Sequence, residues 1–502
     1  MKTTYRDAAA ELDKIENIYS AECARIAADT PLNLLDYLPT DEGNAYRIRD
    51  AHGESLRFVI EDESWLQWNR FRWVAGRATI VWHLFSELMK EARTQYAKLP
   101  PPPDDDEEAV KKHKKLGAFL LNSTNAKPIQ NAILSFQNIP EVRISSSQMN
   151  AGIMSVGTPS GSIDLLTGKA TIANMDNYVT KSLAVDYDPT ATCPRWLQFL
   201  EEITPGHPEL ISYLQRCVGY SLTGSVKEEC LFFLSGTGAN GKGTFVETIT
   251  QLMGDYGIVA PKSMFARELQ TMGSDDYHAA SLFGRRFAAA AELEEGSYWD
   301  EAKIKALTGG DSVTGRHPYG RPFSFVPQHT LWVSGNRRPA VKGTDNGIWR
   351  RLKLIRFTAN FPEASGRDGN LKTILLTELP GILRWAVQGC LDWQEQGLNH
   401  PRCVNDWTRE YREEEDVLGL FIKERLVEAE GFRSSLASVY DAYTDWMEQE
   451  GSIKFALTRR SIGKKLRELG FNIVHSMAGK MLEGWKVKDH TNAEPNSNEY
   501  GF

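Results

Sequence analysis

Short apolar segments alternate with glycine-rich turns in the middle of the chain. Residues 230–234 are all apolar, as expected of a parallel strand that is buried on both faces. A glycine-rich loop follows at 235–244, and apolar side chains then recur at helical spacing over residues 245–253. Two further mainly apolar segments, at 286–291 and 330–334, are followed by polar residues. This order of strand, loop and helix predicts an α/β fold class with a parallel sheet.

The segments on either side of this unit have other patterns. Residues 1–98 combine helical periodicity with alternating aromatic residues at 64–73, which are more typical of a packed sheet face than of a base-stacking surface. Four prolines and two blocks of like charge at 100–115 indicate a linker or an exposed helix start. We therefore expect three domains: a mixed α/β accessory domain over 1–200, a central domain over 201–400 and a C-terminal domain over 401–502.

Composition narrows the class of protein. The chain of 502 residues has 58 basic and 66 acidic side chains, and this net charge of −8 argues against a protein that coats nucleic acid non-specifically. Its six cysteines form no Cys-x-x-Cys pair, which argues against a zinc ribbon or a disulfide scaffold. No apolar run reaches the roughly 18 residues of a membrane span, so we expect a cytoplasmic protein without a membrane partner.

The glycine-rich loop is the strongest chemical signal. Glycines allow backbone N–H groups to converge on a phosphate, and the following helix adds the positive end of its dipole. Lys242 would reach the β- and γ-phosphates of a nucleotide. Gly243 stands where a hydroxyl usually follows the lysine, so Thr244 would supply the Mg²⁺ ligand one residue later. A glycine-rich turn without a ligand is the alternative. The predicted loop residues are Gly236, Thr237, Gly238, Ala239, Asn240, Gly241, Lys242, Gly243 and Thr244.

Polar residues after the other two apolar segments complete the expected site. Glu292 comes first after the alanine-rich segment and would hold Mg²⁺ and polarise water, with Glu294 as the second candidate. If the alanine-rich segment were a helix, both would be surface acids. Asn336 could sense a γ-phosphate, although asparagine is also a common turn residue. Arg350 and Arg351 could stabilise phosphate charge, which in ring ATPases is done from the neighbouring subunit.

The order of these motifs resembles that of the superfamily 3 helicases, and most closely the D5-like or P4-type helicase module of phage and plasmid primase-helicases. The resemblance covers roughly residues 30–490. It is carried by the loop at 236–244, ELEEG at 292–296, KALTGGD at 305–311 with Arg316, GNRRP at 335–339 and IWRR at 348–351. The region before residue 200 resembles the accessory domain of that family through WLQW at 65–68, IDLLTG at 163–168 and VDYDP at 185–189.

The resemblance implies an AAA+-like core in a hexameric ring, with ATP and Mg²⁺ between subunits and single-stranded or forked DNA in the channel. It also implies that a β-hairpin within 303–325 touches DNA, and a surface loop with solvated charges is the alternative. This chain lacks the N-terminal primase-polymerase domain that many relatives carry, so we expect no primer synthesis by it. A separate primase or replication initiator would then be a partner, in a bacterial host cytoplasm. The DNA-contacting candidates in this interval are Lys305, Arg316, His317 and Arg321.

The C-terminal segment is locally basic. Residues 451–488 hold nine basic and two acidic side chains. The spacing predicts a helix over 434–450, a basic helix over 458–469 and two short strands over 471–487. This order suggests a winged-helix-like domain whose second helix enters a DNA groove. A solvated face on a protein-docking domain is the alternative. The candidate DNA contacts on the basic helix are Arg459, Arg460, Lys464 and Lys465.

Taken together, the motifs predict an ATP-dependent DNA helicase or translocase of a phage, plasmid or integrated mobile element. Two rival functions stay open. A nucleotide kinase also has a Gly-Lys-Gly-Thr loop ending, but it needs neither a pore hairpin nor a basic C-terminal domain. A DNA-binding initiator that uses ATP only to assemble would need Lys242 but not Glu292.

Overall fold

The computed structural model describes residues 32–76, 78–265, 274–291, 298–316, 322–341, 346–361, 369–449, 457–476 and 479–488. The fold is mixed α/β, and its largest sheet is parallel, as the apolar pattern predicted. Two hydrophobic cores, which share alternate side chains of that sheet, position the candidate site.

The N-terminal region packs helices against a four-stranded sheet with strand order β3-β2-β1-β4. The alternating aromatics serve as core here: Trp65 stacks on Phe136 with 5.1 Å between ring centroids, and Trp73 is fully buried. Helix α3 begins inside the charged segment, where the Asp106 side chain accepts a hydrogen bond from the Ala109 N–H. The elements are α1 Asp41–His52, β1 Leu56–Val59, β2 Ser64–Trp68, β3 Trp73–Gly76, α2 Ala78–Ala97, α3 Glu107–Asn122, α4 Ala126–Phe136 and β4 Arg143–Ile144.

A small antiparallel sheet and two helices connect this region to the central sheet. The strands pair in the order β5-β6-β7, and both helices begin with a proline, whose missing N–H costs nothing in a first helical turn. The elements are β5 Ser155–Thr158, β6 Gly161–Asp164, β7 Lys169–Thr171, α5 Pro194–Ile203 and α6 Pro208–Leu222.

The central sheet has five parallel strands in the order β14-β8-β13-β10-β9. Neighbouring side chains of β8 alternate between two cores: Phe232 and Leu234 join one, and Leu231 and Phe233 join the other. This burial on both faces explains the continuous apolar run in the sequence. The elements are β8 Leu231–Ser235, α7 Lys242–Met253, β9 Gly257–Val259, α8 Ser274–Ser281, β10 Phe287–Ala291, α9 Glu301–Thr308, β13 Thr330–Gly335, α10 Asn346–Arg351 and β14 Leu352–Arg356.

A β-hairpin lies between α9 and β13, made of β11 Val313–Arg316 and β12 Pro322–Phe325. Its base is packed tightly against α8, because a Cβ on Gly315 would lie 2.7 Å from the Ala280 Cα. Phe283 meets the rings of Phe323 and Phe325 edge-on, with centroid separations of 5.5 and 5.6 Å. The hairpin is therefore anchored at its base by apolar contacts.

The remaining helices and a three-stranded sheet complete the chain. Strand β15 occupies the end of the segment that the sequence predicted to be a polar helical stretch around 404–430, which is a correction: this strand has mostly exposed side chains and pairs antiparallel with β17. The elements are α11 Leu371–Thr377, α12 Leu379–Gln396, α13 Arg402–Glu415, α14 Val417–Arg425, β15 Leu426–Ser435, α15 Leu436–Gln449, α16 Arg459–Glu468, β16 Ile473–Ser476 and β17 Gly479–Val487.

The cores do not change at the expected domain boundaries. Val156, Ile163 and Trp196 share the core of the central sheet, although they precede residue 200. Val404 also belongs to that core, whereas the C-terminal core starts at Leu418. The boundaries at 200 and 400 remain predictions. The packing favours a central unit that begins before residue 200 and ends after residue 400.

Candidate functional site

The glycine-rich loop joins the carboxyl end of β8 to the start of α7, and close packing dictates its glycines. A Cβ on Gly236 would lie 1.9 Å from the Asn240 Nδ2 and 2.5 Å from the Phe357 carbonyl oxygen. Gly241 has φ +87°, and a Cβ there would lie 2.4 Å from the Ile203 Cγ2. Gly238 also has a positive φ, of +98°, but nothing lies within 4 Å of its Cβ position. The glycines thus serve both turn geometry and close backbone approach.

Lys242 is buried at the centre of this loop. Its Nζ donates to the Gly236 carbonyl at 2.7 Å, to the Asn240 Oδ1 at 3.0 Å and to the Asn336 Oδ1 at 3.1 Å. Asn240 in turn donates from Nδ2 to the Phe357 carbonyl at 3.2 Å. A buried ammonium group is costly unless its protons have acceptors, and these oxygens provide them. The lysine is thereby held in the loop at the end of the sheet.

Asn336 reaches Lys242 because β8 and β13 are neighbours that end together. Gly335 pairs with Ser235 across the two strands, so the residues that follow each strand meet at the carboxyl ends of the strands. Strand β10 ends at the same level of the sheet, since Ala291 pairs with Ser334. Ligands of open parallel sheets bind outside the carboxyl ends of the strands, where the sequence-predicted residues Lys242 and Asn336 come together.

Some predicted site residues cannot be placed in this way. Glu292 and Glu294 come after β10 in the sequence but lie outside the described residues, as do His317 and Arg321. Thr244 lies half-buried in the first turn of α7, where its carbonyl accepts a hydrogen bond from the Thr248 hydroxyl. The roles of all five in metal or DNA binding remain predictions.

Arg350 and Arg351 lie at the opposite side of the sheet, near the amino ends of the strands. They precede β14, whose first residue Leu352 pairs with Leu231 at the start of β8, roughly 13 Å from the loop end of that strand. The Arg351 side chain is only 8% exposed and donates to Glu229 at 2.8 Å and to the Thr308 hydroxyl at 3.0 Å. The Arg350 side chain is 65% exposed and shares the same Glu229 carboxylate at 2.8 Å. Neither guanidinium is near the loop of its own chain.

Basic side chains occur at two further places. Arg316 is exposed at the end of β11, but Lys305 is half-buried on α9 and not on the hairpin, which corrects its expected location. Arg459, Arg460 and Lys464 are exposed on α16, while Lys465 is half-buried there. The buried face of α16 is formed by Ile462 and Leu466, so the cationic residues face outward.

Three functional-site features were not found from the sequence. Asn240 was identified only as a loop position, whereas the structure makes it the link between Lys242 and β14. Glu229, which has φ +43°, holds both arginines, and a pair of adjacent arginines could have prompted a search for such a carboxylate. Phe357 contributes through its backbone alone, so no side-chain pattern marks it.

His329, which immediately precedes β13, is fully buried, and this burial lowers its pKa to about 4. The backbone at Leu307 opposes that shift with a smaller effect. At neutral pH the imidazole is therefore uncharged, because burial withholds the water that would stabilise its charged form.

Across the parts of the chain that the structure describes, no helix is both long and apolar enough to cross a membrane.

Comparison with family models gives three matches along the chain. Residues 45–205 match "D5 N terminal like", residues 234–351 match a "Family of unknown function (DUF5906)", and residues 413–500 match "Poxvirus D5 protein-like".

Relatives occur among viral proteins. "Putative helicase L207/L206" of Acanthamoeba polyphaga mimivirus is 30% identical over 60% of this chain and 32% of that protein. "Putative helicase 022R" of Frog virus 3 is 23% identical over 50% of this chain and 27% of its own length. "Putative primase C962R" of African swine fever virus (isolate Warthog/Namibia/Wart80/1980) is 23% identical over 46% and 26%, respectively. The chain thus spans about a third or less of the curated relatives it matches, and these viral names lend no support to the expected bacterial host.

A solved structure, "The apo structure of NrS-1 C terminal region (305-718)", superposes on 89% of this chain and 99% of its own with a TM-score of 0.45 at 9% identity. The two D5-type matches at either end of the chain, together with the viral relatives, confirm the resemblance seen in the motifs. The chain is thus similar to D5-type proteins at both ends, and to viral proteins named putative helicase or primase over about half of its length.

Proposed function

We propose that this chain is an ATP-driven DNA helicase or translocase that acts in replication of a viral or other mobile element. One observation carries the proposal: the Lys242 Nζ lies 3.1 Å from the Asn336 Oδ1, at the shared end of two parallel strands and inside a glycine loop. A cation and an amide at this position can bind and sense the γ-phosphate of ATP, because phosphoryl transfer depends mostly on positioning and charge stabilisation.

In this proposal the central sheet is a P-loop, AAA+-like core that binds ATP and Mg²⁺. The loop backbone and the N-terminus of α7 hold the phosphates, and Thr244 and Glu292 hold the metal, with Glu294 as the second acid. Mg²⁺ would neutralise charge that develops on the transferred phosphate.

The subunits form a ring, in which the arginine pair acts on the nucleotide of the neighbour. The opposite placement of these arginines and the loop supports this arrangement, since the length of a five-residue strand, roughly 13 Å, separates them within one chain. The greater exposure of Arg350 makes it the residue that enters the neighbour's site, and the buried Arg351 positions it through Glu229. A hexamer is the expected assembly.

DNA contacts come from two elements. Arg316 and the hairpin line the ring channel and bind phosphates without reading sequence. Helices α15 and α16 with the β16–β17 strands form a winged-helix-like unit whose α16 cations meet duplex DNA ahead of the fork.

The decisive experiment measures ATP hydrolysis with and without single-stranded DNA, and unwinding of a forked duplex. Hydrolysis should rise with DNA, and Lys242→Ala should lower it at least about 100-fold, because a positioned charge at the phosphates is lost. Lys372→Ala is the matched control, since this exposed lysine pairs with Glu247 on the outer face of α7.

Other results would favour a rival. Phosphorylation of a nucleoside monophosphate without DNA would support a nucleotide kinase. DNA-dependent assembly that survives Glu292→Gln but not Lys242→Ala would support a non-hydrolysing initiator. Primer synthesis from nucleoside triphosphates on a single-stranded template would contradict the expectation that this chain makes no primers.

A further inference from the structure

A cluster of metal-ligating side chains lies outside the nucleotide loop, where α6 and α13 begin. The His207 Nδ1 lies 3.1 Å from the Glu209 Oε1, and the Cys403 thiol lies 3.4 Å from the same oxygen. One donor atom from each of the three residues falls within 4.8 Å of the other two. Nitrogen, sulfur and carboxylate oxygen are the three ligand types that proteins use for Zn²⁺.

The distances fit a tetrahedral ion. Bond lengths of about 2.0–2.3 Å at a tetrahedral angle place N, O and S donor atoms about 3.3–3.7 Å apart. The two separations from Glu209 lie within about 0.2 Å of that range, and the imidazole and thiol donors lie within 4.8 Å of each other, so side-chain rotations can bring all three around one ion. The thiol and the imidazole make Mg²⁺ or Ca²⁺ poor occupants, because those ions prefer oxygen ligands.

The two backbone segments are held together by contacts that do not involve the cluster. Tyr213 on α6 bonds its hydroxyl to the His400 Nδ1 at 2.8 Å. Arg216, one turn further along α6, donates to the Leu398 and Asn399 carbonyls at 3.0 and 3.1 Å. The segment that carries Cys403 is thus fixed against α6, and a site on rigid elements needs no ordering when a ligand binds.

Trp407, one helical turn after Cys403, meets the His207 ring edge-on with 5.3 Å between centroids. This contact restricts rotation of the imidazole, so its Nδ1 stays directed at Glu209. His207 and Cys403 are half-buried and Glu209 is exposed, which leaves one side of the cluster open to water.

We propose that His207, Glu209 and Cys403 bind one Zn²⁺ ion, with a water molecule as the fourth ligand. The ion joins the start of α6 to the start of α13 and so links two elements that cover the central sheet. This inference does not rest on the proposed function, because the site uses no residue of the nucleotide loop.

The test uses the full chain after removal of metals with EDTA, and Co²⁺ as a spectroscopic probe for Zn²⁺. One equivalent of Co²⁺ should bind and give a thiolate-to-cobalt charge-transfer band, which Zn²⁺ should then remove. Cys403→Ser should abolish that band, and His207→Asn or Glu209→Gln should weaken binding at least about tenfold, the lower limit for disturbing even an indirect contact to a metal.

Two matched controls accompany these variants. His475→Asn changes an exposed histidine on β16, and Lys242→Ala disables the proposed nucleotide loop; both should leave the titration unchanged. Zn²⁺ should also raise the melting temperature of the wild type but not of His207→Asn, which tests the site without relying on the serine variant.

Lack of the charge-transfer band in the wild type would overturn the proposal, and so would its persistence in Cys403→Ser. In either case the three side chains form only a hydrogen-bonded cluster.

Discussion

At the scale of single residues, the nucleotide loop distinguishes two glycines that the sequence makes look alike. Gly241 has φ +87° and no room for a Cβ, whereas Gly243 has open space around its Cβ position. Gly241→Ala should destabilise the protein by about 2 kcal/mol or more and abolish ATP binding, since both strain and overlap with Ile203 oppose it. Denaturant unfolding and equilibrium nucleotide binding measure the two effects.

Gly243→Ala is the control for that variant. Alanine is favoured over glycine inside a helix by up to about 1 kcal/mol, so stability should stay the same or rise. An equal loss of stability in both variants would contradict the assigned loop geometry.

The arginine pair allows a second test, because its members differ in burial. Arg351→Ala removes a buried guanidinium that bonds Thr308, Gly347 and Glu229, and we expect a loss of about 2 kcal/mol in the free energy of unfolding. Arg350→Ala removes an exposed ion pair and should change stability by less than about 1 kcal/mol. Chemical denaturation of both variants measures the difference, and equal losses would be inconsistent with these contacts.

His329 gives the folded protein a pH dependence. Its pKa is about 4 in the folded state, below the ordinary value of 6.5, so the unfolded chain binds the proton more readily. The contribution to stability is complete above pH 6.5 and is lost as the pH falls toward 4, by at most about 1.4 kcal/mol per pH unit. His329→Gln should flatten this slope in unfolding curves measured between pH 7 and 4.5. An unchanged slope would show that His329 is not responsible.

At the scale of elements, the parallel strands, the glycine loop and the C-terminal helices could be predicted because each depends on a local pattern. Apolar residues at a spacing of 2 or 3.6 indicate a strand or helix with one buried face, and a continuous apolar run indicates a strand buried on both faces. Glycines indicate the turn. Strand β15 could not be predicted in this way, since most of its side chains are exposed and its pairing partner β17 lies about 50 residues later. The location of Lys305 could not be predicted either. The sequence places it within the interval 303–325, but no local pattern shows that this interval begins with helix α9 rather than with the hairpin.

The site shows the same limit. Lys242 and Asn336 follow strand ends, and both could be named before their distance was known. The contacts of Glu229 and Phe357 depend on which strands are neighbours, and strand order cannot be read from a local pattern.

Helix α16 permits a test of the C-terminal DNA contact. Replacing Arg459, Arg460 and Lys464 by serine should weaken duplex binding and reduce the slope of log affinity against log salt by up to about 0.9 for each lost phosphate contact. The control removes the same charge from α3, through serine at Lys111, Lys114 and Lys115, which the sequence predicted to be merely solvated. Fluorescence anisotropy at several salt concentrations measures both slopes. Equal effects of the two triple variants on duplex binding would contradict a direct contact between α16 and DNA.

At the scale of the whole molecule, a shared active site predicts complementation between inactive subunits. Lys242→Ala subunits keep Arg350, and Arg350→Ala subunits keep Lys242. Mixed rings should therefore contain some intact sites and hydrolyse more ATP than either variant alone. Hydrolysis rates at several mixing ratios, with masses from light scattering, measure this.

The control mixture pairs Lys242→Ala with a chain that carries both substitutions, and it should recover nothing. Recovery in the control, or its absence in the first mixture, would contradict an arginine that acts between subunits.

Strand β14 has a further consequence for such a ring. The arginine pair precedes its first residue, and just past its last residue the Phe357 carbonyl fixes Asn240, which contacts Lys242. In the proposed ring, a shift of this short strand along its own axis would displace Arg350, which acts on the neighbouring subunit, together with the Phe357–Asn240 contact at the nucleotide loop of the same subunit. ATP binding at adjacent sites would then be coupled through a strand of only five residues.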